Sequence, residues 1–170
     1  KLTYKVDFEI KPKKIGEFKI TKEQVIEKMK KDGEYFDKIE VLLKDGNYIK
    51  EDNSKLEKRI IYKSDMNKIY TFQKDFEYVV ITDATKYNLM NLDFKYPKIE
   101  KMDSLKIIDG YKCKLLKLSW DKLGEEHYFY NSEIVSLDSK LFENHKYEYL
   151  NSIVNITKAY PLEIVKTISD

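Results

Sequence analysis

Hydrophobic and polar positions alternate with a period of two from the first residues of the chain. Leu2, Tyr4, Val6, Phe8 and Ile10 share one parity and Thr3, Lys5, Asp7 and Glu9 the other, which predicts a long strand with one buried face. Lys11-Pro12-Lys13-Lys14 ends it, since proline cannot donate to a strand ladder. The period then changes. Val25, Ile26 and Met29 fall on one side of a helical turn pattern. Thr21 is placed to cap the N-terminus, Gln24 to complete a capping box, and Ile20 and Val25 to form a hydrophobic staple. Gly33 follows as a residue able to close the C-terminus. The spacing predicts a helix from about Thr21 to Lys31.

Beyond it the period of two returns. Ile39, Val41 and Leu43 alternate with Lys38 and Glu40, and Lys44-Asp45-Gly46-Asn47 turns the chain into Tyr48-Ile49. Arg59 to Lys63 and Lys68 to Gln73 flank the turn composition Ser64-Asp65-Met66-Asn67, and Tyr78 to Thr82 reads as a further strand. Leu105 to Trp120 reads as a hairpin turned at Asp109-Gly110, a pair that tolerates positive φ. In its second arm Tyr111, Cys113 and Leu115 point one way and Leu116, Leu118 and Trp120 the other, predicting a bulge or a strand covered on both faces. His127 to Tyr130 is apolar on both faces. Leu141, Phe142, His145 and Tyr149 have helical spacing, so a helix is expected within Asp138 to Leu150; Pro161 to Ile168 reads as a last strand. Successive strands with short turns favour an antiparallel meander over an alternating strand–helix fold. The expected fold is mainly β with minor α, one domain over residues 1–170.

Composition removes several classes of function. The chain has 32 Lys+Arg against 30 Asp+Glu, a net charge of +2, and Arg59 is its one arginine. Arginine makes the bidentate phosphate and base contacts, so nucleic acid is not the expected partner. No apolar run is long enough to span a bilayer as a helix. With Cys113 the one cysteine, neither an intramolecular disulfide nor a cysteine zinc cluster can form. The chain opens on Lys1 rather than Met, and a removed signal peptide is expected.

Candidate chemistry is sparse. Cys113 as a nucleophile needs a neighbouring base, and its apolar strand neighbours read instead as a small buried hydrophobe. His127 and His145 lack the pattern of a metal site, although His127 follows Glu125 and Glu126. Asp52, Asp65, Asp75 and Asp83 lie near turns and match no calcium loop. Ser132 and Ser136 lack the glycines of a nucleophile elbow. No catalytic residue, metal or cofactor is expected, and an enzyme built on Cys113 or His127 is the weakest reading. Residues on a second apolar face, beyond what one-sided folding requires, are the candidate ligand-binding set: Leu116, Leu118, Trp120, Tyr128 and Tyr130.

Three segments carry a family resemblance: Ile108-Asp109-Gly110-Tyr111-Lys112-Cys113-Lys114, Phe129-Tyr130-Asn131-Ser132-Glu133-Ile134 and Ala159-Tyr160-Pro161-Leu162-Glu163-Ile164. In order and spacing they resemble the I-x-G-Y-K-C-K, W-Y-T-x-E-I and G-L-P-L-E-I segments of the GLPGLI family and related domains of unknown function. Phe129 stands where that family has tryptophan, and its name-giving string is absent. The resemblance implies an exported or lipid-anchored protein of a Gram-negative envelope, periplasmic or associated with the outer membrane. It also implies a curved antiparallel sheet or half-barrel, similar to that of periplasmic lipoprotein carriers, with one or two helices. The expected function is thus non-enzymatic binding of a lipid, an acylated partner or another apolar ligand. The alternative is an interaction module that meets an outer-membrane protein through an exposed strand or aromatic patch.

Overall fold

The computed structural model describes residues 1–9, 13–15, 18–87, 96–120 and 124–168. It is mainly β with minor α, and its strands form antiparallel sheets. The chain divides into two compact units, Lys1–Thr82 and Asp83–Asp170.

The first unit holds β1 (Leu2–Lys5), the short hairpin β2 (Lys13–Ile15) and β3 (Phe18–Ile20), and α1 (Lys22–Asp32). Then come β4 (Lys38–Lys44), β5 (Asn47–Asp52), β6 (Arg59–Lys63), β7 (Lys68–Phe72) and β8 (Val80–Asp83), whose last residue opens the second unit. Its main sheet has the order β1-β4-β5-β6-β7-β8. The first strand is shorter than its pattern predicts. Val6 to Glu9 leave the ladder while keeping the alternation of half-buried and exposed side chains, and Val6 N–H still donates to Asp37 O at 2.8 Å. Ile10 lies outside the described residues.

The helix forms where its caps place it. Thr21 Oγ1 accepts from Gln24 N at 3.4 Å, Gln24 Oε1 accepts from Thr21 N at 3.0 Å, and Gly33 closes the C-terminus at φ 80°. The turn after β4 puts Asp45 and Gly46 at φ 48° and 76°, the twist that an antiparallel hairpin needs. Register puts Ile39, Val41, Leu43, Tyr48, Lys50, Asp52, Ile60, Tyr62, Ile69 and Thr71 on one face. At one end of that face Val41, Tyr48, Tyr62 and Ile69 are buried, with the Tyr48 and Tyr62 rings stacked at 5.3 Å.

The second unit has the sheet order β12-β11-β10-β9, from β9 (Lys98–Ile108), β10 (Tyr111–Trp120), β11 (Gly124–Tyr130) and β12 (Glu163–Ile168). The β9–β10 turn has Asp109 at φ 48° and Gly110 at φ 84°, as the Asp-Gly pair predicts. The expected irregularity is present: Lys114 faces Leu105 but Leu115 faces Met102, so β9 carries Asp103 and Ser104 without partners on β10.

Between β11 and β12 the expected helix within Asp138 to Leu150 does not form. Two 3-10 turns, Ser139–Phe142 and Tyr147–Tyr149, stand there, and α2 (Leu150–Thr157) begins where the expectation ended. Glu148 and Tyr149 have φ 51° and 58°, a left-handed kink that no continuous helix accommodates. The missed helix, Leu-Asn-Ser-Ile-Val-Asn-Ile-Thr, is rich in β-branched and Asn residues with poor helix propensity. It forms because Ile153, Val154 and Thr157 are buried, and Thr157 Oγ1 bonds Ile153 O at 2.8 Å.

Candidate functional site

Leu116 and Leu118 of β10 and Tyr128 and Tyr130 of β11 project from the same face, with Leu116 directly opposite Tyr128. The expected ligand wall is therefore assembled, but as the core of the second unit. Leu116 and Leu118 are fully buried, and Tyr128 and Tyr130 are 5% and 6% exposed. They pack with Tyr149, Ile153 of α2 and Ala159; Trp120, half-buried, packs against this cluster with its ring 5.9 Å from that of Tyr149. The phenol of Tyr128 is satisfied internally, donating to the Glu126 carboxylate, whose other oxygen lies 2.9 Å from Lys166 Nζ. Burial, then the Glu126 charge, pushes the Tyr128 phenol far above its ordinary value and holds it neutral. The residues share one face, as their alternation requires, and Ile153 of α2 packs over it.

The other candidates resolve into structural roles. Cys113 is fully buried, its thiol donates to Tyr111 O at 3.6 Å, and burial, with the Glu163 charge adding to it, pushes its pKa up, away from thiolate chemistry. His145 is 1% exposed beside Phe142, and burial drives its pKa down to about 4. His127 Nε2 lies 2.9 Å from Glu125 Oε1, and Lys117 shares that carboxylate. Glu126, one residue on, points to the opposite face. Asp52 Oδ1 accepts from Ser54 N at 3.0 Å and Ser54 Oγ at 2.6 Å; Asp83 treats Thr85 the same way. Both are turn-capping carboxylates. Among the described residues no group of His, Cys, Asp and Glu could hold a metal ion.

Open space lies in the first unit instead. The face that is closed at the Tyr48–Tyr62 end becomes a cleft of about 300 Å³ at the other. Its floor is sheet: Ile39 of β4, Lys50 and Asp52 of β5, and Ile60 of β6, brought side by side by the pairs Ile39–Asp52 and Lys50–Ile60. Phe36, Ser54, Leu56, Lys58, Glu34 and Gln73 complete the lining. Phe36 is braced by Phe8, edge to face at 5.6 Å. The segment with Leu56 is held by Lys74 N donating to Leu56 O at 2.7 Å.

The cleft was not singled out from sequence, although one signal pointed to it. Along β5 the inward parity reads Tyr48, Lys50, Asp52, so charged side chains occupy positions that the pattern assigns to the core. Inward charges on a sheet face mark a place where the apolar layer stops.

Large apolar side chains are also exposed on sheet edges. In the first unit these are Tyr78, Val80 and Ile81 on and before edge strand β8; in the second, Leu105, Ile107 and Tyr111 of the β9–β10 hairpin. That hairpin runs on beyond β11, whose pairing with β10 stops at Lys114.

Fold and cleft together define a mainly-β protein with an open, amphipathic site on one sheet face. No family model, curated protein or solved structure matches this chain.

Proposed function

We propose that this is a non-enzymatic binding protein of the cell envelope, and that it takes a lipid or another single-chain amphiphile in the cleft of the first sheet. The observation that carries the reading is the cleft itself: an open volume of about 300 Å³ over Ile39, Ile60, Phe36 and Leu56, at the lower end of the usual range for small-ligand sites. A lining that sets Ile39, Ile60, Phe36 and Leu56 beside charged and polar side chains matches a molecule with an apolar chain and a polar end. A volume of this size suits one short chain rather than two long ones. The envelope location rests on the sequence resemblance alone.

Isothermal titration calorimetry of the full chain with decanoate, kept below its micelle concentration, tests the reading. Saturable binding that is lost in Ile60→Glu, with the circular dichroism unchanged, is expected. Binding equal in the wild type and Ile60→Glu, or none in either to decanoate or to a neutral decanoyl ester, overturns it.

The second reading, an interaction module, is favoured by one separate observation. The β9–β10 hairpin projects past β11 with Leu105 and Ile107 both at least 60% exposed on a sheet edge. An edge strand of this kind can accept an added strand from a partner protein at the outer membrane.

A further inference from the structure

We infer that the cleft of the first sheet selects an anionic head group, a carboxylate or a phosphate monoester on a single acyl or alkyl chain, held by Lys50 and Lys58. The inference rests on the proposed amphiphile site and adds to it the charge of the ligand.

Four ionisable side chains line the cleft: Glu34, Lys50, Asp52 and Lys58. Their formal charges cancel, so net charge decides nothing; the free hydrogen-bonding capacity does. Asp52 is anchored at one oxygen, Oδ1, which accepts from both Ser54 N and Ser54 Oγ. Those bonds fix the carboxylate's orientation against the Ser54 turn, and as an acceptor it offers an anionic head group no donor. Glu34 is exposed at the rim, where water solvates it. The two lysines differ from both. Lys50 is half-buried on the sheet floor, between Val41 and Ile60 in register, and Lys58 is half-buried two residues before Ile60. Among the described residues neither ammonium has an ion-pair or hydrogen-bond partner; several surface lysines such as Lys44 and Lys63 share that state, and the place of Lys50 and Lys58 in the cleft lining is what distinguishes them.

An ammonium carries three donors and no acceptor. With the stems of Lys50 and Lys58 half-buried in the cleft lining, an incoming anion meets two ammonium groups whose donors no carboxylate holds. The apolar side chains of the lining define the rest of the ligand. Ile39 and Ile60 flank the charged floor positions, so a chain lying on them brings its head group to the lysines. A free inorganic anion would use the lysines but leave that floor in water. The chemistry therefore fits an anionic amphiphile better than a bare phosphate.

The test compares three decanoyl or decyl probes on the full chain by calorimetry: decanoate, neutral monodecanoylglycerol and zwitterionic decylphosphocholine, with inorganic phosphate as the chainless control. Decanoate is expected to bind about tenfold tighter than monodecanoylglycerol, and its affinity to fall as salt rises. Lys50→Gln and Lys58→Gln should each weaken decanoate by roughly fivefold and leave monodecanoylglycerol unchanged, which also shows that the cleft is intact in the variants. Lys50→Arg should retain the decanoate preference. Equal binding of all three chain-bearing probes, or phosphate binding as tightly as decanoate, overturns the anionic selectivity while the amphiphile site stands. Failure of every probe overturns the site and the selectivity together.

Discussion

Burial moves two titratable side chains of the second unit in opposite directions. The Cys113 thiol is pushed up and the His145 imidazolium is pushed down to about 4, because low polarity disfavours a thiolate and an imidazolium alike. For His145 this becomes a pH dependence. Its folded pKa is depressed below the usual 6.5, so the unfolded chain takes up the proton first. Stability is fully present above about 6.5 and is lost as pH falls toward 4, by on the order of 3 kcal/mol if nothing relaxes. Urea unfolding between pH 7 and 4 should show this decline, and His145→Phe should flatten it. Cys113→Ser should cost about 1–3 kcal/mol by placing a hydroxyl among apolar neighbours. Native Cys113 should resist a bulky thiol reagent until the chain unfolds; rapid labelling would contradict its burial.

At the scale of elements, what the sequence made legible was whatever local chemistry decides. α1 has its cap, capping box and closing glycine in consecutive reach, so Thr21, Gln24 and Gly33 located it within a residue at each end. The β9–β10 turn was equally legible from Asp109-Gly110. Nothing lies within 4 Å of a methyl group added at Gly110, so Gly110→Ala should cost about 1–2 kcal/mol through the φ of 84° alone, measurable by thermal unfolding. α2 was illegible because its local preferences oppose it and only its packing on Leu118 and Tyr128 favours it. Ile153→Ala should accordingly cost about 2–5 kcal/mol, a core-cavity penalty and not a helix-propensity effect; a loss below 1 kcal/mol in the same unfolding assay would mean that α2 is not what closes this face.

Over the whole molecule, alternation reports which side chains share a face but not what lies opposite them. Leu116, Leu118, Trp120, Tyr128 and Tyr130 therefore read as a spare apolar face, and a helix with no sequence signature turned that face into the core of the second unit. In the first unit the opposite holds. The inward Lys50 and Asp52 mark the point where the apolar layer ends, and the space beyond them stays open as the cleft. The exposed edges of the β9–β10 hairpin and of β8 are further features that folding alone does not use. Each unit is accounted for by its own sheet, and the binding function proposed here belongs to the first.

The location of ligand-induced change tests that account most directly. In amide and methyl NMR spectra of the full chain titrated with decanoate, the account predicts saturable shifts centred on Phe36, Ile39, Lys50, Leu56 and Ile60, with Leu116, Leu118 and Tyr128 unmoved. Shifts centred on Leu116, Leu118, Trp120, Tyr128 and Tyr130, with the cleft residues silent, would contradict it.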